Sequence, residues 1–232
     1  MITFNGVSLD SVAPVKIEDI RVGPIEASPV VRPRAIDAGS EFVRMRNGVR
    51  TIAVLFAILE DNKINRHAYL QSVIDWAKTD TEQQLILPWD NQKYLQCICT
   101  GFPEPSTRQW WESKLRLTFT CFSNPYWTDI AEKTVACGTQ FKAEGNAPPL
   151  VTITRTLSNS ASNQSYGMDG NTITFSSIAA GNLVIDLNRQ TAAVGSSSIM
   201  GNYAVASKWL IPRTGTQTIS GTGTVHYRER WA

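Results

Sequence analysis

A chain of 232 residues with 42% hydrophobic and 18% charged side chains has a globular composition, and its length divides most naturally into two domains. Its net charge of +2, with lysines and arginines spread along the chain, excludes a dedicated nucleic-acid binder. The most apolar run, Ile52 to Leu59, is closed by Glu60-Asp61 far short of the roughly 20 residues needed to cross a bilayer, so no membrane partner is expected.

The opening Met1 to Gly6 lacks a basic stretch followed by a long apolar run and does not read as a secretory signal. Val7, Leu9, Val12, Val15, Ile17 and Ile20 then alternate loosely with polar positions, which predicts short strands. From Val22 to Asn47 the pattern stops. Gly23-Pro24, Ser28-Pro29, Arg32-Pro33 and Gly39-Ser40 predict a long extended arm, around residues 23–47, outside the core. Arg32, Arg34, Arg44, Arg46 and Arg50 accumulate there against Asp37 and Glu41. Solvated arginines on a loop are the ordinary reading. The functional one makes Arg32, Arg34, Arg44 and Arg46 candidate subunit-interface or channel residues, laid against a neighbouring subunit or an anionic ligand, where planar bidentate contacts are strong.

Thr51 to Ile58 is β-branched and apolar enough for a strand covered on both faces. A helix follows over about 65–78, with Asn65 as its cap and Leu70, Val73, Ile74 and Ala77 at helical spacing. Tyr69 and Trp76 flank that stripe and predict a helix closing one end of a sheet, in preference to a ligand platform. Strands are expected at Gln84–Leu87 and Tyr94–Cys99 around a turn at Pro88-Trp89-Asp90-Asn91, and again at Leu115–Cys121 before Asn124-Pro125. Ala131 to Pro149 carries few long apolar side chains and ends at Ala147-Pro148-Pro149, a stiff segment suited to a junction. The boundary is placed near Asp129, giving domains 1–130 and 131–232. Beyond it, Leu150–Thr156, Thr172–Phe175, Leu183–Leu187, Tyr203–Val205 and Thr224–Arg230 alternate with Gly-, Ser- and Asn-rich turns, the pattern of an antiparallel sandwich.

Signals for chemistry are sparse. Cys97 and Cys99 share one strand face without a zinc-knuckle turn, so with Cys121 and Cys137 they read as free thiols in a reducing cytoplasm. A disulfide of Cys97 or Cys99 with Cys121 on a neighbouring strand is the alternative in an exported protein. His67 and His226 fall in different domains, which leaves a histidine-centred triad needing an interdomain site. Gly221-Thr222-Gly223 reads as a hairpin turn, not a phosphate loop, and Glu132, Glu144, Asp169, Asp186 and Glu229 are mostly isolated. The expectation is a protein with no enzymatic activity, catalytic residue, metal or cofactor.

Two stretches nevertheless resemble a known family. The first runs from Arg50-Thr51-Ile52-Ala53-Val54 through Ile74-Asp75-Trp76 and Leu85-Ile86-Leu87-Pro88-Trp89 to Leu117 to Tyr126. The second runs from Leu183-Val184-Ile185-Asp186-Leu187 through Asn202-Tyr203 and Trp209 to Gly215, ending Val225 to Trp231. In their order these segments resemble the distal tail (Dit) proteins of long-tailed bacteriophages. The resemblance implies a mainly β chain: an N-terminal β-sandwich-type domain with one helix and an arm, and a C-terminal galectin-like antiparallel sandwich. It implies a virion protein of the tail tip, assembled in the host cytoplasm as a homo-oligomeric, six-fold ring. Its partners would be the tail tube protein, the tail hub or fibre protein and a receptor-binding protein, with DNA passing through the channel without specific binding. The alternative function is a lectin-like adhesion module, although the histidine, asparagine and arginine cluster of sugar-binding galectins has no counterpart beside Trp209 or Trp231.

Overall fold

The computed structural model describes residues 1–33, 40–103 and 115–232, and for residues 28, 30–33 and 40–47 the backbone alone. The chain is mainly β, with a single α-helix among the described residues, and divides into two compact units, Met1–Trp127 and Thr128–Ala232.

The first unit contains β1 (Thr3–Phe4), β2 (Val7–Ser8), β3 (Val15–Val22), β4 (Ala27–Pro33), β5 (Ser40–Asn47), β6 (Arg50–Ile58), α1 (Lys63–Ala77), β7 (Gln83–Leu87), β8 (Asp90–Gly101) and β9 (Leu115–Cys121). Antiparallel pairing runs β3-β6-β9-β8-β7-β1-β2. The long β8 serves two partners: its first half pairs with β7 and its last residues with β9. β6 is buried at Ile52, Val54, Phe56 and Ile58 and also at Ala53 and Ala57, as its apolar run requires.

Helix α1 covers this core with Leu70, Val73 and Ala77. Trp76 sets its ring edge-on to Phe4 at 5.7 Å and to Phe119 at 6.3 Å, and its indole N–H donates to the Val7 carbonyl at 3.0 Å. Its indole is therefore a packing group with its one donor satisfied. The cap is Asn62, not Asn65. Asn62 is extended (φ −74°, ψ 121°), and its side chain accepts from the Ile64 N–H at 2.9 Å, whereas Asn65 lies inside the first turn.

Within the excursion from 23 to 47 the described residues form two strands. β4 and β5 pair with each other in an antiparallel hairpin. Its register continues that of β3 and β6: Val22 lies opposite Ile52 and Ala27 opposite Asn47, so the residue numbers of each pair keep one sum through the waist. Gly23 N–H to Thr51 O, Glu26 N–H to Val49 O and Gly48 N–H to Glu26 O close that waist. A Cβ on Gly48 would lie 2.9 Å from the Glu26 carbonyl oxygen, so the close approach of the strands requires glycine there.

β10 (Trp127–Asp129) spans the boundary between the units. The second unit contains β11 (Lys133–Ala136), β12 (Gln140–Ala143), β13 (Ala147–Leu157), β14 (Ala161–Met168), β15 (Asn171–Ile178), β16 (Gly181–Asp186), β17 (Thr191–Val194), β18 (Ser197–Ser198), β19 (Gly215–Thr218) and β20 (Thr224–Trp231). One antiparallel layer is ordered β11-β20-β13-β16-β17-β18. The pairs β12–β19 and β14–β15, joined by a bridge between Gly167 and Ser220, face it. Val151, Ile153, Leu183, Ile185 and Val225 from the first layer meet Phe141, Tyr166, Ile173 and Phe175 from the other.

Three local expectations are corrected here. Pro148-Pro149 is the start of β13, not a junction; the register shifts between Ala147 and Leu150, and β16 joins β13 only from Thr152 onward, so the prolines sit where no donor is needed. Tyr203 to Val205 is no strand; it follows a 3-10 turn and is fastened by Ala204 N–H to Thr174 O. Gly221-Thr222-Gly223 joins β19 in one layer to β20 in the other, so it is a crossover and not a hairpin turn. Gly223, at φ 134°, leaves no room for a side chain, since a Cβ would stand 2.5 Å from Thr154 O.

The reassigned cap gives a direct test by urea unfolding: Asn62→Ala should destabilise the first unit by about 1 kcal/mol, while Asn65→Ala, inside the helix, should be neutral or slightly stabilising.

Candidate functional site

Three of the arginines singled out in the sequence, Arg32, Arg44 and Arg46, lie in β4 and β5. Arg32 is opposite Glu41, Arg44 opposite Val30 and Arg46 opposite Ser28 in the β4–β5 register; Arg34 lies outside the described residues. Among the described residues, β4 and β5 pair with no strand but each other. A two-stranded ribbon alone is marginal in water, so this arm needs a surface to lie on. Arg50 differs from the other four. It is 6% exposed in β6, its Nε and Nη1 have no hydrogen-bond partner, and burial lowers its pKa.

Cys97, Cys99 and Cys121 are buried in β8 and β9, Cys137 is half-buried, and all four are free. No group of histidine, cysteine, aspartate and glutamate among the described residues is arranged to hold a metal ion. His67 is exposed on α1. His226, by contrast, finds partners inside its own unit, where the sequence reading required an interdomain site. Its Nδ1 lies 2.9 Å from Glu132 Oε2 and its Nε2 lies 2.9 Å from Thr154 Oγ1. Arg228 Nε stands 3.5 Å from the other Glu132 oxygen. The His226 hydrogen bond, seconded by Arg228, lowers the Glu132 carboxyl below its ordinary value.

A hydroxyl, an imidazole and a carboxylate in this order have the form of a nucleophile, base and orienter. Thr154, however, lies in mid-ladder, paired with Thr224 on one side and Val184 on the other. The backbone donors that would stabilise an oxyanion are spent in the sheet. The arrangement instead ties the segment entering β11 onto β20. Beside it, Lys133 Nζ reaches Glu229 Oε1 at 2.6 Å; that carboxylate is 3% exposed, and its hydrogen bond raises the Lys133 pKa.

No family model matches the chain, and no curated protein matches it in sequence. Solved structures do match. The crystal structure of SPP1 Dit (gp 19.1), described as a paradigm of the hub adsorption apparatus in phages infecting Gram-positive hosts, is similar over 100% of this chain and 98% of that one, with a TM-score of 0.74 at 15% identity. The phage p2 baseplate in its activated conformation with Sr is similar over 94% of this chain and 90% of that one, with a TM-score of 0.50 at 7% identity. The chain has the Dit fold.

Within this Dit-like fold, sequence reading missed the partners of His226 because Glu132 and Thr154 lie 94 and 72 positions away along the chain. The aromatic residues weighed for sugar binding are engaged as well. Trp209 stacks on Tyr203, rings 5.5 Å apart and 9° from parallel, and the Trp231 indole N–H donates to Asp129 at 3.0 Å.

Two tests follow. Because the folded pKa of Glu132 is depressed, its contribution is present above the ordinary carboxyl value of 4.5 and is lost as pH falls through the folded value. Glu132→Gln should therefore be less stable than wild type in urea at pH 7, with the gap closing toward pH 3; a gap constant across that range would contradict the assignment. Lys133→Met strands a buried carboxylate and should cost roughly 1–3 kcal/mol, recovered in part by Lys133→Met/Glu229→Met.

Proposed function

We propose that this chain is a structural subunit of a phage tail tip, a baseplate hub protein that works by assembling into a ring. The observation that carries the reading is the full-length likeness to SPP1 Dit, both units included, at 100% and 98% coverage. In this reading the first unit builds a six-fold ring joining the tail tube to the hub or fibre protein below, and DNA passes through without specific binding. The second unit is an autonomous sandwich that attaches receptor-binding proteins at the side. Its place is the virion, after assembly in the host cytoplasm, and it performs no catalysis.

The arm supports this reading physically. A closed ring needs a heterologous contact, one patch reaching a different patch on the next subunit. Cross-strand partners share a face, so the register assigns Arg32, Arg44 and Arg46 to positions on one side of the ribbon and Pro29, Val31, Phe42 and Met45 to positions on the other. A ribbon whose register gathers three arginines and Glu41 at positions of one side, and mostly apolar residues at positions of the other, is suited to lie on a neighbouring subunit by the apolar side.

Light scattering behind a sizing column tests this. The intact chain at tens of micromolar should elute as a closed multimer, residues 28–46 replaced by a short glycine-serine turn should give folded monomers, and Arg32→Gln/Arg44→Gln/Arg46→Gln should weaken assembly in a salt-dependent way. A monomeric intact chain, or unchanged assembly without the arm, would overturn the ring mechanism. Binding of residues 128–232 to a glycan array would shift the second unit to a lectin-like adhesion module.

A further inference from the structure

Cys121 stands in β9 between two neighbours whose chemistry complements its own. On one side the β6–β9 register puts Arg50 directly opposite it. On the other, β8–β9 pairs Ile98 with Thr120, so the next residues along, Cys97 and Cys121, face each other. Directly opposed residues of an antiparallel ladder have Cα atoms about 4.5–5.5 Å apart, inside the roughly 4.4–6.8 Å that a disulfide spans. Both residues are 0% exposed, and Cys121 is near enough to contribute to the raised pKa of the Cys97 thiol. Cys99 lies opposite Phe119 instead, and Cys137 belongs to the other unit. Of the four cysteines, these two have the geometry to bond.

The orphaned donors of Arg50 belong to the same row. A guanidinium that is 6% exposed with Nε and Nη1 unpaired is costly unless negative charge arrives beside it. Across the ladder from it lies the Cys121 sulfur, which acts on it electrostatically, as does Tyr126.

We propose that Cys97 and Cys121 are an oxidation site that closes to a cross-strand disulfide, with Arg50, directly opposite Cys121 in the next strand, as the positioning residue. The oxidant is a small disulfide such as oxidised glutathione, admitted when β8 and β9 part locally. The Cys121 thiol gives its proton to water, and the thiolate attacks one glutathione sulfur and expels the other as a thiolate. Cys97 then loses its proton and attacks the Cys121 sulfur of the mixed disulfide, releasing the second glutathione thiolate. Two protein thiols lose two electrons and two protons, and one glutathione disulfide is reduced to two thiols. Arg50 stands opposite Cys121 and not opposite Cys97, so the first attack is assigned to Cys121. The bond staples the chain from 97 to 121 and restricts its unfolded state.

The test uses full-length protein carrying Cys137→Ser, exposed to oxidised glutathione in urea below the unfolding transition, then quenched in acid and mapped by mass spectrometry. The expected result is joint loss of the Cys97 and Cys121 thiols, a linked peptide pair free of glutathione, a free Cys99, and a higher unfolding midpoint that reverts on reduction. Arg50→Met should slow closure roughly tenfold and Arg50→Lys should restore it, with local opening of β9 followed by hydrogen exchange in each variant. A cross-link to Cys99, three persistent thiols where β9 demonstrably opens, or equal closure rates for Arg50 and Arg50→Met at equal opening would each overturn the proposal.

Discussion

The antiparallel ladder between β3 and β6 is the constraint from which the first unit takes its shape. It places β6 between β3 and β9, and that position demands the apolar run from Ile52 to Ile58. The same ladder fixes where the chain leaves the sheet. Since β4 and β5 inherit its register, the 23–47 segment is the continuation of the β3–β6 hairpin past a glycine waist. The sheet thus sets the direction of the arm at its root, although the arm has no third strand among the described residues. The burial of β6 and the root of the arm come from one pairing.

The second unit solves a different problem with polar contacts. Its strands carry many Thr, Ser and Asn residues, and its outer strand β11 is short. Glu132 with His226 and Arg228, and Lys133 with the buried Glu229, hold that strand to β20 where apolar side chains are few. Asn188 does comparable work at the start of β13: it donates to the Pro149 carbonyl and accepts from the Val151 N–H, closing the gap that two prolines leave in the ladder.

How much of this was legible in the sequence depended on whether the governing interaction was local. β6 and β9 were plain because their apolar and β-branched residues follow from burial alone. The helix was plain for the same reason, yet Asn62 and Asn65 are equally good capping residues and only the backbone at 62 separates them. The arm read as extended but not as a hairpin, since its pairing involves Pro29, Arg32 and Pro33, which carry no alternating pattern. Pro148-Pro149 misled because prolines ordinarily mark junctions, and here β16 begins to pair only beyond them. Of the candidate arginines, three lie on the ribbon backbone and Arg34 lies outside the described residues, while the unpartnered Nε and Nη1 of Arg50 became visible only once burial was known. The facing of Cys97 and Cys121 was partly legible, as an alternating strand beside another, but the opposition of these two residues needed the register.

Among the described residues the β4–β5 ribbon has no third strand, and in the proposed ring a second copy of the chain completes it. A photo-crosslinking amino acid at position 44 measures this most directly, in a mixture of isotopically heavy and light chains. Heavy–light cross-links from position 44 to residues of the first unit of another copy are the expected result. Cross-links confined to a single chain would contradict it.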